Sequence, residues 1–174
     1  MLGFYRCGKG DLSSRFVKWL PNAFTMGNLL SGLFSITFIM SGYLRMAALL
    51  IFLAAFLDLF DGKIARKLKV DSELGVELDS LADVVSFGVA PALLFHTLSP
   101  HSLLTSLAFV LYPAMGAFRL ARFSAKPTIG YFLGIPITLS GLIMAGMGLF
   151  LYSNSFITIL LAILMVSPIR MKKL

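Results

Sequence analysis

Acidic residues are scarce in this chain, and charge of either sign is thin. Asp and Glu together number 8 in 174 residues, and charged residues make up 13%, about half the share of an ordinary soluble domain. With 58% hydrophobic residues and a mean hydropathy of +0.90, this excludes a free-standing soluble fold. The single cysteine, Cys7, cannot form an internal disulfide, and a lone thiol near a terminus reads as inert. Histidine is limited to His96 and His101, which read as interfacial residues rather than metal ligands. No short apolar core is followed by a small-residue cleavage site, so no signal peptide is expected. Internal repeats and low-complexity segments are absent. The net charge of +7 invites a nucleic-acid partner, but the placement of the basic residues argues for membrane topology instead.

The few acids that do occur are concentrated. Asp58, Asp61, Asp71, Glu73, Glu77, Asp79 and Asp83 fall within 58–83, leaving Asp11 alone elsewhere. Carboxylates flanked by apolar sequence are costly and need a partner or a function. Helical spacing puts Asp58, Asp61, Gly62, Ala65 and Arg66 on one face, at i, i+3, i+4, i+7 and i+8. Gly75, Asp79 and Asp83 share another face, at i, i+4 and i+8. Two such faces turned together pool four carboxylates, three small residues and one arginine. Asp71, Glu73 and Glu77 fall to the solvated connection between them.

The apolar runs predict an all-α polytopic membrane protein with six transmembrane helices. Residues 1–20 form a cytoplasmic juxtamembrane segment, and 21–174 form the membrane domain. Leu12, Phe16, Trp19 and Leu20 share one side of the first segment, with Arg15 and Lys18 between them, which fits an interfacial amphipathic helix. Pro21 opens the first span, 22–41, whose Asn22, Thr25 and Asn28 are costly in lipid unless partnered. The further spans fall at 44–60, running on helically through Lys69, then at 75–97, 103–120, 135–152 and 155–167. The last is shorter than the ~20 residues a crossing helix needs. Small-residue faces at Gly27, Ser31 and Ser35, and at Gly141, Ala145 and Gly148, permit close helix approach. In this layout every Lys and Arg except Arg45 lies on one side. The positive-inside rule then puts both termini and the acidic cluster in the cytoplasm, with the cell membrane as location.

An all-oxygen cluster of this kind favours Mg²⁺, Mn²⁺ or Ca²⁺ over Zn²⁺ or Cu²⁺. Arg66 can pair with a phosphate oxygen, and Gly62 and Ala65 leave room for a large ligand. The chemistry implied is metal-assisted substitution at a phosphoryl group. Two other readings fit the same residues. One is an ion-pair network of the acids with Lys63, Arg66 and Lys67. The other is a membrane cation-binding or transport protein, which would place its acids nearer the bilayer centre.

The run D-x-x-D-G-x-x-A-R, eight residues, G-x-x-x-D-x-x-x-D is matched at Asp58, Asp61, Gly62, Ala65, Arg66, Gly75, Asp79 and Asp83. It resembles the signature of the CDP-alcohol phosphotransferases, whose six-helix core would cover essentially the whole membrane domain. The flanks P-N-A-F-T-M-G-N (21–28), E-L-D-S-L-A-D-V-V-S-F-G-V-A-P-A (77–92), F-R-L-A-R-F (118–123) and Y-F-L-G-I-P-I (131–137) are similar to the members that use L-serine as acceptor. Ser80 and Val84 stand where members using glycerol 3-phosphate tend to have Pro and Lys.

The resemblance implies transfer of the phosphatidyl group from CDP-diacylglycerol, or its isoprenoid analogue CDP-archaeol, to the serine hydroxyl with release of CMP. It also implies a two-ion centre of Mg²⁺ or Mn²⁺ held by Asp58, Asp61, Asp79 and Asp83, with Asp83 as general base. It assigns Thr25, Asn28, Asp58, Gly62, Ala65, Arg66, Gly75 and Asp79 to the CDP-lipid, and it implies a homodimer. Arg119, Arg122 and Lys126 are the nearest unassigned cations for the serine carboxylate. The same chemistry with glycerol 3-phosphate or inositol phosphate would demand more cations around the acceptor.

Overall fold

The computed structural model describes residues 11–68, 73–125, 131–168 and 170–172, with side chains described for 22–60, 62–63, 74–124 and 134–168. Its helices are α1 (Asp11–Met40), α2 (Leu44–Leu68), α3 (Glu73–Asp83), α4 (Ala90–Leu98), α5 (Leu103–Ala125), α6 (Ile137–Leu149) and α7 (Ser155–Val166). A π-helical turn, Val84–Val89, joins α3 to α4 without a break.

Among the described residues, three helical segments are long and apolar enough to cross a membrane: Asn22–Met40, Leu74–Leu98 and Leu103–Ser124. The protein is therefore helical and membrane-embedded, while the six-span count goes beyond what these lengths establish. The two segments Ile137–Leu149 and Ser155–Val166 are apolar but shorter, about 20 Å or less against a ~30 Å hydrocarbon core.

Three local features differ from the sequence expectation. First, α1 runs from Asp11 to Met40 as one helix, so residues 11–20 and the first span share it; the amphipathic segment's residues 1–10 lie outside the described residues. Pro21 lies inside α1, where it removes one ladder hydrogen bond without ending the helix. Second, the chain is not purely helical. Two short strands, β1 (Tyr131–Leu133) and β2 (Arg170–Lys172), pair antiparallel with Phe132 opposite Met171. Aromatic and branched residues at 131–133 suit an extended backbone, and Gly134 beside them takes a positive φ of 73°. Third, α5 extends to Ala125, past the expected end of its span.

The packing is inverted relative to a soluble protein. Along α2, Ala47, Ala48, Ile51, Ala54 and Ala55 are buried, while Leu49, Phe52, Leu53, Phe56 and Leu59 point outwards. Small residues inside let helix backbones approach, and large apolar ones meet lipid. Both small-residue faces are used within the chain. Ser35 is buried and its hydroxyl donates to the Ala47 carbonyl at 2.9 Å, and Gly27 faces Leu57. Gly148 lies against Leu94, and Gly141 against Phe87. These faces therefore build the bundle itself, and a homodimer has to use another surface.

The π-helical turn is the joint that the other helices grip. Pro91 has no N–H to offer the Phe87 carbonyl four residues back, so that acceptor would be left over in a regular helix. The buried Tyr112 hydroxyl of α5 donates to it at 3.2 Å, and Ser140 of α6 lies 3.0 Å from the same hydroxyl. The Ser86 hydroxyl donates to the Asn28 carbonyl of α1 at 3.0 Å. Gly32 and Gly141 admit the turn: a Cβ on Gly141 would lie 2.8–3.0 Å from Cβ, Cα and O of Phe87.

A Gly141→Ala variant should therefore lose stability despite its better helix propensity. Overpacking against backbone costs about 1–3 kcal/mol, against a gain of at most about 1 kcal/mol from removing a helical glycine. Thermal unfolding in detergent should show a lowered midpoint; an unchanged or raised midpoint would mean the turn can yield.

Candidate active site

Asp83 ends α3 immediately before the π-helical turn, so the grip on that turn fixes where its carboxylate lies. Asp79 sits one helical turn earlier on the same face. Asp58 approaches from α2. Ligand oxygens of Asp58, Asp79 and Asp83 lie within 4.8 Å of one another. Asp83 is buried, while Asp58 and Asp79 are half-buried. Three of the four predicted carboxylates are thus brought together from two separate helices. The side chain of Asp61 falls outside the described residues, as do those of Ala65 and Arg66.

The surroundings orient these groups. Asn28 is fully buried in α1, and its Nδ2 donates to Asp83 Oδ1 at 3.3 Å. Asn28 Oδ1 is also buried and has no hydrogen-bond partner among the described residues. Thr25, one turn before Asn28, is buried as well. Gly62 and Gly75 are half-buried. Thr138, two residues after Pro136 at the start of α6, approaches Asp58 Oδ2 with its hydroxyl at 3.5 Å.

Of the three cations proposed for the acceptor, the structure separates Arg119 from Arg122. Arg119 of α5 is half-buried, lies close enough to Asp83 to feel its charge, and keeps a buried Nε with no hydrogen-bond partner among the described residues. Arg122 is exposed. Lys126 lies outside the described residues. Glu77 is exposed, consistent with the solvated connection; Asp71 lies outside the described residues, as does the side chain of Glu73. At the opposite end of α4, the rings of His96 and His101 sit 5.6 Å apart, away from the carboxylates.

Sequence reasoning missed Thr138, Ser86, Tyr112 and Ser140. Each is a lone hydroxyl in an apolar helix, a pattern that usually means only local bonding to a backbone carbonyl. The one available signal was Pro91, which leaves an acceptor that some distant donor must satisfy.

The convergence can hold a hard cation. Three carboxylates within 4.8 Å offer only oxygen ligands, the donor set that suits Mg²⁺, Mn²⁺ or Ca²⁺. Beside these carboxylates stand the amide oxygen of Asn28, unpartnered among the described residues, and the guanidinium of Arg119, so the site can meet both a cation and an anionic substrate.

Comparison with known proteins agrees with this chemistry. The sequence profile described as CDP-alcohol phosphatidyltransferase matches residues 18–168. A Bacillus subtilis (strain 168) protein named CDP-diacylglycerol–serine O-phosphatidyltransferase is 38% identical over 164 residues, covering 88% of this chain and 90% of the relative. A Methanocaldococcus jannaschii protein of the same name is 37% identical over 164 residues, covering 92% and 77%. A Helicobacter pylori (strain ATCC 700392 / 26695) protein, again so named, is 36% identical over 170 residues, covering 86% and 70%.

Proposed function

Because this chain belongs to the CDP-alcohol phosphatidyltransferase family, we propose that it is the enzyme that transfers the phosphatidyl group of CDP-diacylglycerol to L-serine. The products are phosphatidylserine and CMP. The observation that carries this reading is the meeting of Asp58, Asp79 and Asp83 within 4.8 Å, in a chain similar along most of its length to relatives named for that reaction.

The serine hydroxyl attacks the phosphorus that bears the lipid. A new oxygen–phosphorus bond forms, and the bond from that phosphorus to the CMP oxygen breaks. Asp83 takes the hydroxyl proton, a role that a buried carboxylate oriented by Asn28 can fill. Asp58, Asp61, Asp79 and Asp83 would hold two divalent ions, Mg²⁺ or Mn²⁺, and these when bound neutralise charge on the diphosphate. Thr25, Asn28, Gly62, Ala65, Arg66 and Gly75 line the CDP-lipid site, which also takes Asp58 and Asp79. Arg119 receives the serine carboxylate, because among the described residues it feels the charge of Asp83 and keeps a buried Nε without a hydrogen-bond partner.

The protein is read as six spans in the cell membrane, with both termini and the site cytoplasmic, because every Lys and Arg except Arg45 then falls on one side. Residues 1–20 are its juxtamembrane segment, 21–174 its catalytic domain, and the working unit is a homodimer.

The test is CMP release by purified protein given CDP-diacylglycerol, Mn²⁺ or Mg²⁺, and one alcohol at a time. Release with serine is expected. Release with glycerol 3-phosphate or inositol phosphate in its place would overturn the acceptor, and no release with any alcohol would overturn the enzyme. For Arg119→Gln, the KM for serine is expected to rise about 10- to 100-fold, the worth of a charged hydrogen bond of 1.5–3 kcal/mol. Affinity for the CDP-lipid should barely change. A rise confined to the CDP-lipid KM would place Arg119 on the diphosphate instead.

A further inference from the structure

We propose that the end of the bundle opposite the carboxylates binds the headgroup of an anionic phospholipid through Arg45. The turn between α1 and α2 and the turn after α6 meet there around a cavity of about 320 Å³. Gly42, Tyr43, Leu44, Arg45, Met46 and Leu151 line it.

Arg45 is an isolated charge. The chain has no Asp or Glu between Asp11 and Asp58, and none after Asp83. Along the continuous helix α2, Asp58 begins about 20 Å from Arg45, at 1.5 Å rise per residue. Asp11 opens α1, whose far end is Met40, so it is farther still. Asp79 and Asp83 lie with Asp58, so among the described residues no carboxylate neutralises this guanidinium, and its exposed side chain can meet an outside anion. A guanidinium fork pairs with phosphate oxygens in two parallel hydrogen bonds.

The walls select a lipid over a free ion. Tyr43, Met46 and Leu151 are exposed large side chains, and Leu44 stands beside them. Apolar contacts of this kind gain nothing from inorganic phosphate but can cover the glycerol and upper acyl chain of a lipid. Tyr43 adds an amphipathic ring suited to headgroup depth, steadied by Phe38 at 6.1 Å between ring centroids. The turn geometry holds this wall in place. Gly42 takes φ of 82°, open to a residue without Cβ, whereas Leu151 is held at φ of 53°. A branched side chain in that region is disfavoured, yet it is Leu151 that faces the cavity.

The site can be read by fluorescence in vesicles. Trp19 is the only tryptophan, so Trp19→Phe with Phe150→Trp moves the reporter to an exposed position beside Leu151 and outside the cavity lining. Brominated phosphatidylglycerol should then quench it with an apparent affinity about five-fold above that of brominated phosphatidylcholine, the worth of one basic residue at an anionic lipid. Adding Arg45→Gln should bring the ratio to about one, and excess inorganic phosphate should leave it unchanged. Equal quenching by the two lipids with Arg45 present, or a preference that survives Arg45→Gln, overturns the proposal. Loss of the preference in inorganic phosphate would assign the site to the free ion and overturn its assignment to lipid. Circular dichroism of the Arg45→Gln protein confirms that the helices are retained.

Discussion

An Asp83→Asn variant is expected to lose about 10²- to 10⁴-fold in turnover, the range a positioned general base supplies, while still binding the CDP-lipid. Asn is close in shape to Asp and keeps an acceptor for the Asn28 amide, which donates to Asp83 Oδ1 at 3.3 Å. What it loses is the capacity to take a proton. The packing around the π-helical turn, including the Ser86–Asn28 and Tyr112–Phe87 hydrogen bonds, does not involve that proton and should persist. Single-turnover CMP release and titration with a CDP-lipid analogue separate the two effects. Equal loss of binding and turnover would make Asp83 a structural residue, and unchanged turnover would move the base elsewhere.

Stripping divalent ions with EDTA is expected to abolish CMP release, and Mg²⁺ or Mn²⁺ should restore it. The physical reason is repulsion. Carboxylate oxygens within 4.8 Å of one another repel by about 3 kcal/mol or more per pair at an effective dielectric near 20. Arg119 supplies one compensating charge near Asp83, too little for three or four carboxylates. A cation both relieves that repulsion and brings positive charge to the substrate's diphosphate. Asp79→Ala should raise the metal concentration for half-maximal activity at least about ten-fold, since even outer-shell partners of a metal are worth that much. Full activity in EDTA would instead support an ion-pair network among the acids and basic residues of α2.

Much of the site is legible in the sequence. The phase of Asp58 and Asp61 on one helix, and of Gly75, Asp79 and Asp83 on the next, follows from the 3.6-residue period alone. The structure places Asp58, Asp79 and Asp83 together as that phase requires. The membrane setting was equally legible, because scarce charge and long apolar runs leave few other solutions. What could not be read was the ranking of Arg119 over Arg122. They sit three residues apart at the end of one helix, and only the packing of α5 decides that Arg119 is half-buried near Asp83 while Arg122 is exposed. The small-residue faces invited a partner chain equally well, until Gly141 and Gly148 were seen against Phe87 and Leu94.

The sequence by itself determined the helical class, the membrane solvent and the phase that brings Asp58, Asp79 and Asp83 together, because each follows from local period and local polarity. The tertiary structure alone decided that a π-helical turn follows Asp83, that α1, α5 and α6 each anchor it, and that Thr138 reaches Asp58. Those features depend on which helix lies beside which. A hydroxyl in an apolar helix carries no mark of the carbonyl or carboxylate it will meet across the bundle.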